Sequence, residues 1–407
     1  MMNILNISKL KKEFNGEVLF QNITFDINSK DKVAIIGKNG TGKSTLLKMI
    51  LNEENKDSGE IHINQKAKIG YLSQNVISNS EHTLMDEMLS VFESLLHLEK
   101  KIKELTKELT HNPHSQELID QYARLEHNYS VQGGYEYHYH INLILTKFGF
   151  KQDEYSRKIS TFSGGEKTRV AFSKLLLEKP DLLILDEPTN HLDIDIIDWL
   201  EDYLNKYDGA ILIVTHDKYF ISKVCRKIIE IDHSTSHTYH GTFDQYELEK
   251  IKRYEVILKQ YNRQQKEIAH LQSFIDRFRY NSKKATMAKD RQKKIDRITR
   301  IERPQDSKRN VKMQFEDRRV TKEVILEAKN LSVGYDIPLF KDLSFTIRGF
   351  DKLAIVGPNG TGKTTLLKVI EKKLLPLKGK VEFLREYKIG YFDQNQETLH
   401  YNKSVFE

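Results

Sequence analysis

The stretch GKNGTGKST, residues 37–45, decides the fold class of this chain. It has the spacing of a phosphate-binding loop, in which a glycine and four further residues precede Gly-Lys and a hydroxyl residue. An apolar, β-rich run, Lys32–Ile36, precedes it, and an apolar helical pattern over 46–50 follows. Glycines let the backbone wrap around a phosphate, and N–H groups of the loop and of the next helix donate to it. We therefore expect Lys43 to contact the β and γ phosphates of a nucleotide and Ser44 to ligate Mg²⁺.

The same stretch occurs a second time, 320 residues later, as GPNGTGKTT over 357–365. Residues 19–25 recur at this offset as 339–345, and 68–75 recur as 388–395. A constant offset predicts two copies of one domain with the same loop lengths. The strand before the second loop would be 352–356. Because Glu407 corresponds to position 87 of the first copy, we expect the second copy to lack the equivalent of everything after Glu87.

Further buried strands are indicated at 182–185 and Ala210–Val214. Strands that alternate with helical patterns indicate α/β domains with a mostly parallel sheet. The predicted fold class is therefore a P-loop NTPase of α/β type with two cassettes, the second of them incomplete. We place the first domain at 1–244, a basic helical segment at 245–322 and the N-terminal part of the second domain at 323–407.

Two helical segments interrupt the α/β pattern. Residues 84–130 carry two apolar helical stripes separated near Asn112, which predicts an antiparallel hairpin inserted in the first domain. A seven-residue repeat of tyrosine and isoleucine in 246–312 is typical of packed helices, with a turn near Asn281. A structural spacer is the alternative interpretation of both segments.

The second helical segment is far more basic than the rest of the chain. The formal net charge of the chain is +7, whereas 246–312 contain 20 Lys/Arg and 9 Asp/Glu, a net charge of +11. Phe278 and Tyr280 lie among these basic residues. A solvated coiled-coil face usually mixes both charge signs, so phosphate contact and stacking on RNA is the favoured interpretation. The candidate RNA-binding residues are Arg277, Arg279, Lys283, Lys284, Lys289, Arg291, Lys293 and Lys294.

Polar residues follow two of the predicted strands. Asp186 and Glu187 come directly after 182–185, and His216 follows 211–215. Such side chains converge at the carboxyl edge of an open α/β sheet, where ligands bind. We expect Asp186 to face Mg²⁺ and Glu187 to orient or deprotonate an attacking water. A solvated acidic pair at a strand end is the alternative.

With these motifs the chain resembles the ATP-binding-cassette (ABC) ATPases. Glu166 and Phe162 stand where the signature motif of transporters usually has Gln and Leu. Because both lie outside the Ser-Gly-Gly centre of the motif, we expect the contacts to ATP to persist. The resemblance covers the signature Phe162-Ser163-Gly164-Gly165-Glu166, the Q-loop glutamines Gln74 and Gln394, the D-loop Asp193, the switch His216, and the adenine-stacking aromatics Phe14 and Tyr335.

The resemblance also implies how ATP and Mg²⁺ would be held. In ABC ATPases two cassettes meet head to tail, with each ATP between the loop of one and the signature of the other. We expect neither site of this chain to be complete on its own, and a head-to-tail cassette dimer would supply the missing half. The implied catalytic residues are Glu187 and His216. The implied ATP-binding residues are Phe14, Gly37, Asn39, Gly40, Gly42, Lys43, Ser44, Thr45, Gln74, Ser163, Gly164, Gly165, Asp186, Asp193, Tyr335, Gly357, Asn359, Gly360, Gly362, Lys363, Thr364, Thr365 and Gln394; those for Mg²⁺ are Ser44, Gln74, Asp186, Thr364 and Gln394.

Among the ABC ATPases, the chain resembles the ABC-F family over nearly its whole length. Tandem cassettes, a helical insertion and a basic linker are shared with that family, and LDEPTNHLD over 185–193 is typical of it. The resemblance identifies 84–130 with the family's arm and 246–312 with its interdomain linker. It implies an ATPase that binds the ribosome near the tRNA exit site, contacts rRNA and tRNA, and tunes translation or protects against ribosome-targeting antibiotics.

Composition limits the alternatives. The mean hydropathy is −0.58, and apolar runs such as 211–214 are far shorter than the ~20 residues of a membrane span. We therefore expect a cytoplasmic protein without a signal peptide. The single cysteine, Cys225, excludes the Cys-based zinc modules of DNA-repair ABC ATPases. Three alternatives stay open: the ATPase subunit of a membrane transporter, which needs a separate membrane chain, a DNA-associated ABC ATPase, and a binding module only.

Overall fold

A computed structural model describes residues 2–72, 81–190, 192–232, 234–278, 285–304, 323–357, 360–387 and 389–392. The chain divides into two compact units, Met1–Arg309 and Asn310–Glu407. Each unit has its own sheet and its own hydrophobic core. The predicted α/β class is confirmed, because parallel strands alternate with helices around the phosphate-binding loop of the first unit.

The elements of the first unit follow the order of the predicted pattern. Its strands are β1 (Asn3–Phe14), β2 (Glu17–Asn28), β3 (Lys32–Ile36), β4 (Ser58–Ile63), β5 (Ile69–Leu72), β6 (Leu182–Asp186), β7 (Ala210–Val214), β8 (Lys227–Asp232) and β9 (Thr235–His240). Its α-helices are α1 (Lys43–Ile50), α2 (Leu84–Leu89), α3 (Glu93–His111), α4 (Gln116–Val131), α5 (Tyr137–Lys147), α6 (Gly164–Glu178), α7 (Ile194–Lys206), α8 (Lys218–Val224), α9 (Phe243–Phe278) and α10 (Ala285–Arg297). Short 3₁₀ turns lie at Ser90–Phe92, Gln152–Glu154 and Ile159–Thr161.

A six-stranded sheet in the order β5-β6-β7-β3-β8-β9 forms the centre of the first unit. Neighbouring strands are parallel, except for the antiparallel pair β8 and β9. All residues of β6 and β7 are buried apart from the half-buried Asp186 at the end of β6. Burial on both faces explains why these strands are continuous apolar runs in the sequence.

Alternate residues of the central strands belong to two different cores. Leu183 and Ile213 pack with residues of α5, α6 and α7 on one face of the sheet. Ile184 and Leu212 pack on the other face with α1 and with the antiparallel sheet β2-β1-β4. Since side chains alternate along a strand, one apolar run supplies both layers. The central sheet is thereby fixed between two hydrophobic layers.

Two helices, α3 and α4, occupy most of the segment predicted as a helical hairpin. They contact each other, and Pro113 lies in the stretch that joins them. The beginning of the segment is different, because Leu84 and Met88 of α2 are buried in the core of the unit. Thr83 caps α2 through the backbone N–H of Asp86. The apolar stripe therefore packs against the core of the unit through α2 and the first part of α3, and α3 also contacts α4.

The basic linker is built from α9 and α10. Helix α9 has 36 residues and begins at Phe243, slightly before the expected position. Leu271 and Ile275 of α9 are buried together with Ile295 of α10, so the two helices pack against each other. The turn expected near Asn281 lies outside the described residues.

The second unit contains β10 (Val324–Gly334), β11 (Pro338–Arg348), α11 (Lys363–Ile370) and β12 (Lys378–Phe383). Its sheet has the order β11-β10-β12, which matches β2-β1-β4 of the first unit. Residues of β10 and α11 form a small core, which is the counterpart of one layer of the first unit.

The strand predicted at 352–356 is wrong, because the structure has no strand there. Its counterpart β3 is flanked by β7 and β8, with which it forms parallel ladders. In the described part of the second unit, 352–356 has no ladder partner, and Leu353 and Val356 are 59% and 72% exposed. Apolar β-rich composition alone does not form a strand without neighbours to pair with.

We predict that Phe172→Ala destabilises the first unit by about 3–5 kcal/mol, since a buried aromatic leaves a cavity that the core refills only in part. Phe172 is 1% exposed and lies against Phe148. Urea unfolding followed by fluorescence measures the effect. Tyr139→Ala is the matched control, because Tyr139 is 65% exposed. Equal midpoints for the two variants would contradict this account of the core.

Candidate nucleotide site

The phosphate-binding loop of the first unit connects β3 to α1. Gly40 and Gly42 have φ values of 81° and 89°, which non-glycine residues rarely adopt. A Cβ atom on Gly37 would lie 2.8 Å from the carbonyl oxygen of Ile231 in β8, so only glycine fits there. Helix α1 has no acidic residue in its first turn and no side-chain cap. Its N-terminus is therefore suited to an anion.

Lys43 lies inside this loop and not in solvent. Its Nζ atom donates to the carbonyl oxygens of Gly37 at 2.9 Å and Lys38 at 3.1 Å, and the residue is only 9% exposed. Burial lowers the pKa of Lys43, and the nearby carboxylates of Glu187 and Asp186 oppose this effect. The ammonium group is thus held where the loop closes around a phosphate.

The second unit repeats this loop geometry. Gly360 and Gly362 have φ values of 80° and 96°. Lys363 donates to the carbonyl oxygen of Gly357 at 2.7 Å, and α11 begins at Lys363 as α1 begins at Lys43. Thr364 and Thr365 follow in the first turn of α11. Asn359 lies outside the described residues, as do both Q-loop candidates, Gln74 and Gln394.

The structure brings Glu187 and His216 together. Glu187 follows β6 with a φ of 49°, and its N–H donates to the carbonyl oxygen of Val214 at 2.8 Å. The carboxylate oxygen Oε1 of Glu187 lies 3.9 Å from Nε2 of His216. Because β6 and β7 are parallel neighbours, both residues leave the sheet at the same edge. The expectation that side chains after these strands converge is met for this pair.

Sequence reasoning missed Thr215, the residue before His216. Its hydroxyl donates to Oε2 of Glu187 at 2.9 Å and accepts from the N–H of Asp217 at 3.1 Å. Thr215 is 2% exposed, so this bond is shielded from water. It fixes one oxygen of the Glu187 carboxylate and leaves the other towards His216. The signal in the sequence is a hydroxyl residue at the end of an apolar strand.

Asp186 is the candidate Mg²⁺ ligand that follows β6. Burial raises the pKa of Asp186, and the charge of Glu187 adds to this effect, while Lys43 opposes it. A half-buried carboxylate beside a second one is stabilised by an added cation. Carboxylate and hydroxyl oxygens are suitable ligands for Mg²⁺, so Asp186 and the exposed Ser44 fit this ion. In the described ranges no group of three His, Cys, Asp or Glu residues could hold a metal ion, so phosphate oxygens would have to complete such a site.

The signature residues begin helix α6. Ser163 is its N-cap and accepts from the N–H of Glu166 at 3.3 Å, while the Glu166 carboxylate accepts from the N–H of Ser163 at 2.7 Å. In the described part of the chain, a Cβ atom on Gly164 or Gly165 would meet no atom within 4 Å beyond its chain neighbours and the nearby backbone of α6. The Ser-Gly-Gly turn thus presents open backbone at a helix N-terminus.

Arg157 connects the two positions at which the signature departs from the transporter pattern. Its guanidinium lies 4.2 Å from the centre of the Phe162 ring, and its Nη1 atom lies 3.3 Å from Oε1 of Glu166. Burial opposes ionisation of Glu166, but the bonds to Ser163 and the charge of Arg157 lower its pKa. The two substitutions therefore form one local cluster and leave Ser163 in place.

The other site candidates lie on separate elements of the two units. Phe14 is 46% exposed at the end of β1, with Nζ of Lys12 4.8 Å from its ring centre. Tyr335 is 60% exposed in the second unit. Asp193 begins α7 as its N-cap residue, and Asn39 is exposed on the loop. Thr45 lies in the first turn of α1.

Five of the basic candidates of the linker lie on α9 and α10. Arg277, Lys289, Lys293 and Lys294 are exposed. Arg291 is half-buried with its guanidinium 3.5 Å from the centre of the Phe274 ring, which fixes its plane. The remaining candidates, Arg279, Lys283 and Lys284, lie outside the described residues.

Comparison with known proteins identifies relatives of both the cassettes and the linker. A family described as ABC transporter matches residues 20–190 and 340–407, and a second family with this description matches 229–315. The ATP-binding protein YdiF of Bacillus subtilis (strain 168) is 38% identical over the whole chain. ABC transporter F family member 5 of Arabidopsis thaliana is 33% identical over 99% of the chain. The ABC transporter ATP-binding protein YfmM of Bacillus subtilis (strain 168) is 31% identical over the whole chain, which covers 79% of YfmM.

The chain spans 64% of the length of YdiF and 60% of that of the Arabidopsis protein. No helix within the described ranges is long and apolar enough to cross a membrane.

We predict that Gly42→Ala destabilises the first unit more than Gly40→Ala. Both positions have positive φ, so alanine is strained at each by roughly 1–2 kcal/mol. Only at Gly42 would the added Cβ also lie 2.7 Å from Leu19 and 2.8 Å from Phe20, whereas at Gly40 it meets none of the described residues within 4 Å beyond its chain neighbours. The difference between the thermal unfolding midpoints of the two variants measures the destabilisation caused by the steric clash at Gly42. A larger loss for Gly40→Ala would show that the loop is packed differently.

Proposed function

Because the chain belongs to the family of ABC transporter ATP-binding proteins, we propose that it is an ABC-F ATPase that binds the ribosome near the tRNA exit site. There it tunes translation or protects the ribosome against antibiotics. The observation that carries the catalytic part of this proposal is the pair formed by Glu187 and His216. Thr215 fixes the Glu187 carboxylate, and Lys43 is held by the phosphate-binding loop. The relative named as a member of the F family supports the assignment within ABC proteins.

ATP binding would rest on the phosphate-binding loop of each cassette. The N–H groups at the start of α1 and the Lys43 ammonium would receive the β and γ phosphates. Ser44 and Asp186, together with Gln74, would hold Mg²⁺, which neutralises phosphate charge when bound. In the second cassette Lys363 and Thr364 would take the same roles, together with Gln394. Phe14 and Tyr335 would stack on the adenine.

Hydrolysis would depend on the free oxygen of the Glu187 carboxylate. Thr215 holds Oε2, so Oε1 is directed towards His216 and is available to a water molecule. A carboxylate that accepts a proton from the attacking water supplies general-base catalysis. His216 is 57% exposed in its side chain and can contact the γ phosphate from the same edge. This geometry supports Glu187 as the proposed base and His216 as the proposed phosphate contact.

A second cassette is the expected partner of the signature turn. Gly164 and Gly165 leave open space around their backbone, and the N-terminus of α6 can receive an anion there. The Ser163 hydrogen bonds are local to α6, so the turn is pre-formed before any partner arrives. This supports a head-to-tail cassette dimer in the ATP-bound state.

Binding to rRNA and tRNA would come from the linker. Exposed Lys289, Lys293 and Lys294 on one short helix can contact successive phosphates. Arg291, stacked on Phe274, presents a planar cation that can pair with a phosphate or stack on a base. Packing of α10 on α9 keeps these groups on a stiff support.

We predict that Glu187→Gln retains ATP binding and lowers single-turnover hydrolysis by about 10²–10⁴-fold, the usual contribution of a general base. Glutamine keeps the size of the side chain but accepts no proton. Glu60→Gln, an exposed change on β4, is the control. Lys43→Met should instead weaken ATP binding. Unchanged turnover in Glu187→Gln would remove Glu187 from the mechanism.

We predict that Lys293→Glu with Lys294→Glu weakens ribosome binding and reduces its salt dependence. The logarithm of the binding constant falls as the logarithm of the salt concentration rises. Each lost phosphate contact makes this fall less steep, by about 0.7–0.9 in the slope, because fewer counterions are released. Sedimentation with purified ribosomes at several salt concentrations measures both effects. Lys66→Glu with Lys206→Glu changes the net charge equally on exposed cassette positions and serves as the control. If both variants lose affinity equally, the linker is not the specific contact.

A further inference from the structure

A buried carboxylate joins the linker to the central sheet. Glu230 lies in β8 and is 4% exposed. Its oxygens accept from the hydroxyl groups of Tyr246 at 2.9 Å and Tyr239 at 3.2 Å, and Nζ of Lys250 lies 2.5 Å from Oε1. A buried charge is tolerated only when it is paired and hydrogen-bonded. Glu230 therefore requires these partners to stay in place.

Two of the three partners belong to the first turns of α9. Tyr246 and Lys250 are four residues apart, so they lie on the same face of the helix. Arg253, on the next turn, donates to the Tyr239 hydroxyl at 3.0 Å and contacts His237 of β9. Tyr239 and Tyr246 also pack edge to face, with ring centres 5.0 Å apart. The base of α9 is thus bound to β8 and β9 by a cluster of charged and aromatic contacts.

The opposite side of β8 contacts the phosphate-binding loop. In the ladder between β3 and β8, Glu230 is the register partner of Ile36, the residue before Gly37. The next residue, Ile231, has its carbonyl oxygen against Gly37, where an added Cβ would lie 2.8 Å away. The segment of β8 that carries the linker contact is therefore the segment that borders the start of the loop.

We propose that Glu230 is a positioning residue through which the base of the linker helix sets the geometry of the phosphate-binding loop. Its link to nucleotide rests on the ATP binding proposed above. When Tyr246 and Lys250 hold Glu230, β8 is fixed against Ile36 and Gly37, and the loop keeps its conformation for phosphate. When the base of α9 is displaced, the buried carboxylate loses its partners and β8 shifts with it. Displacement of the linker on its RNA partner would in this way alter ATP affinity.

The test uses the full chain with Tyr246→Phe and Lys250→Met, singly and together. Phenylalanine preserves the packing of the ring and removes only the hydroxyl, so this variant folds even if a change at Glu230 itself does not. Glu247→Gln is the matched control. Glu247 of α9 also contacts the cassette, because its Oε1 atom lies 2.9 Å from Nζ of Lys218, but this ion pair is exposed and involves α8 instead of β8.

Hydrogen exchange without nucleotide is the first measurement. We expect amides of 37–45 to exchange faster in the double variant than in the control, while amides of β6 and β7 are unchanged. The second measurement is the Kd for ATP, which we expect to rise about tenfold, within the usual range of coupling between sites. Equal exchange in 37–45 for the double variant and the control overturns the proposal, and so does faster exchange throughout the unit. If the unaltered chain binds no ATP, the proposed function fails, while the exchange measurement still decides whether α9 sets the loop.

Discussion

The parallel pairing of β3 with β7 and β8 is the constraint on which the nucleotide site depends. It places Gly37, Thr215 and Ile231 at one edge of the sheet, although they are far apart in the sequence. Pairing of β7 with β6 adds Asp186 and Glu187 to that edge. The strands themselves are held by two hydrophobic layers, one on each face. Burial of apolar residues in these layers thus holds in place the strands that carry the polar side chains of the site.

The sequence predicted those features that depend only on residues close together in the chain. The loop 37–45 has glycines where the backbone needs positive φ, and the apolar runs before Asp186 and His216 form the strands expected of them. The strand expected at 352–356 did not form, because ladder hydrogen bonds come from strands elsewhere in the chain. Thr215 was missed for a related reason. Its value lies in a hydrogen bond to Glu187, which only the register of β6 with β7 reveals.

Substitutions in a motif are best judged with the residues around them. Glu166 and Phe162 look like two independent departures from the transporter signature, but both contact Arg157. The carboxylate of Glu166 completes a capping box that an amide would complete without charge. The charge is balanced by Arg157, whose guanidinium also covers the Phe162 ring. The start of α6 is therefore held by contacts among three side chains, which no single position of the motif reveals.

The positive charges of the linker have two different roles, which the sequence alone does not separate. Its far end, on α10, has exposed lysines suited to phosphate, which are the RNA contacts of the proposed function. Its near end holds Lys250 and Arg253 against the buried Glu230–Tyr239–Tyr246 cluster, where positive charge stabilises the fold. The same residue types therefore act in opposite environments within one linker, on α9 at its base and on α10 at its far end. Since breaking a buried pair costs more than breaking an exposed one, the Lys250–Glu230 contact holds the base of α9 to β8 more firmly than the exposed Lys218–Glu247 pair holds it to α8.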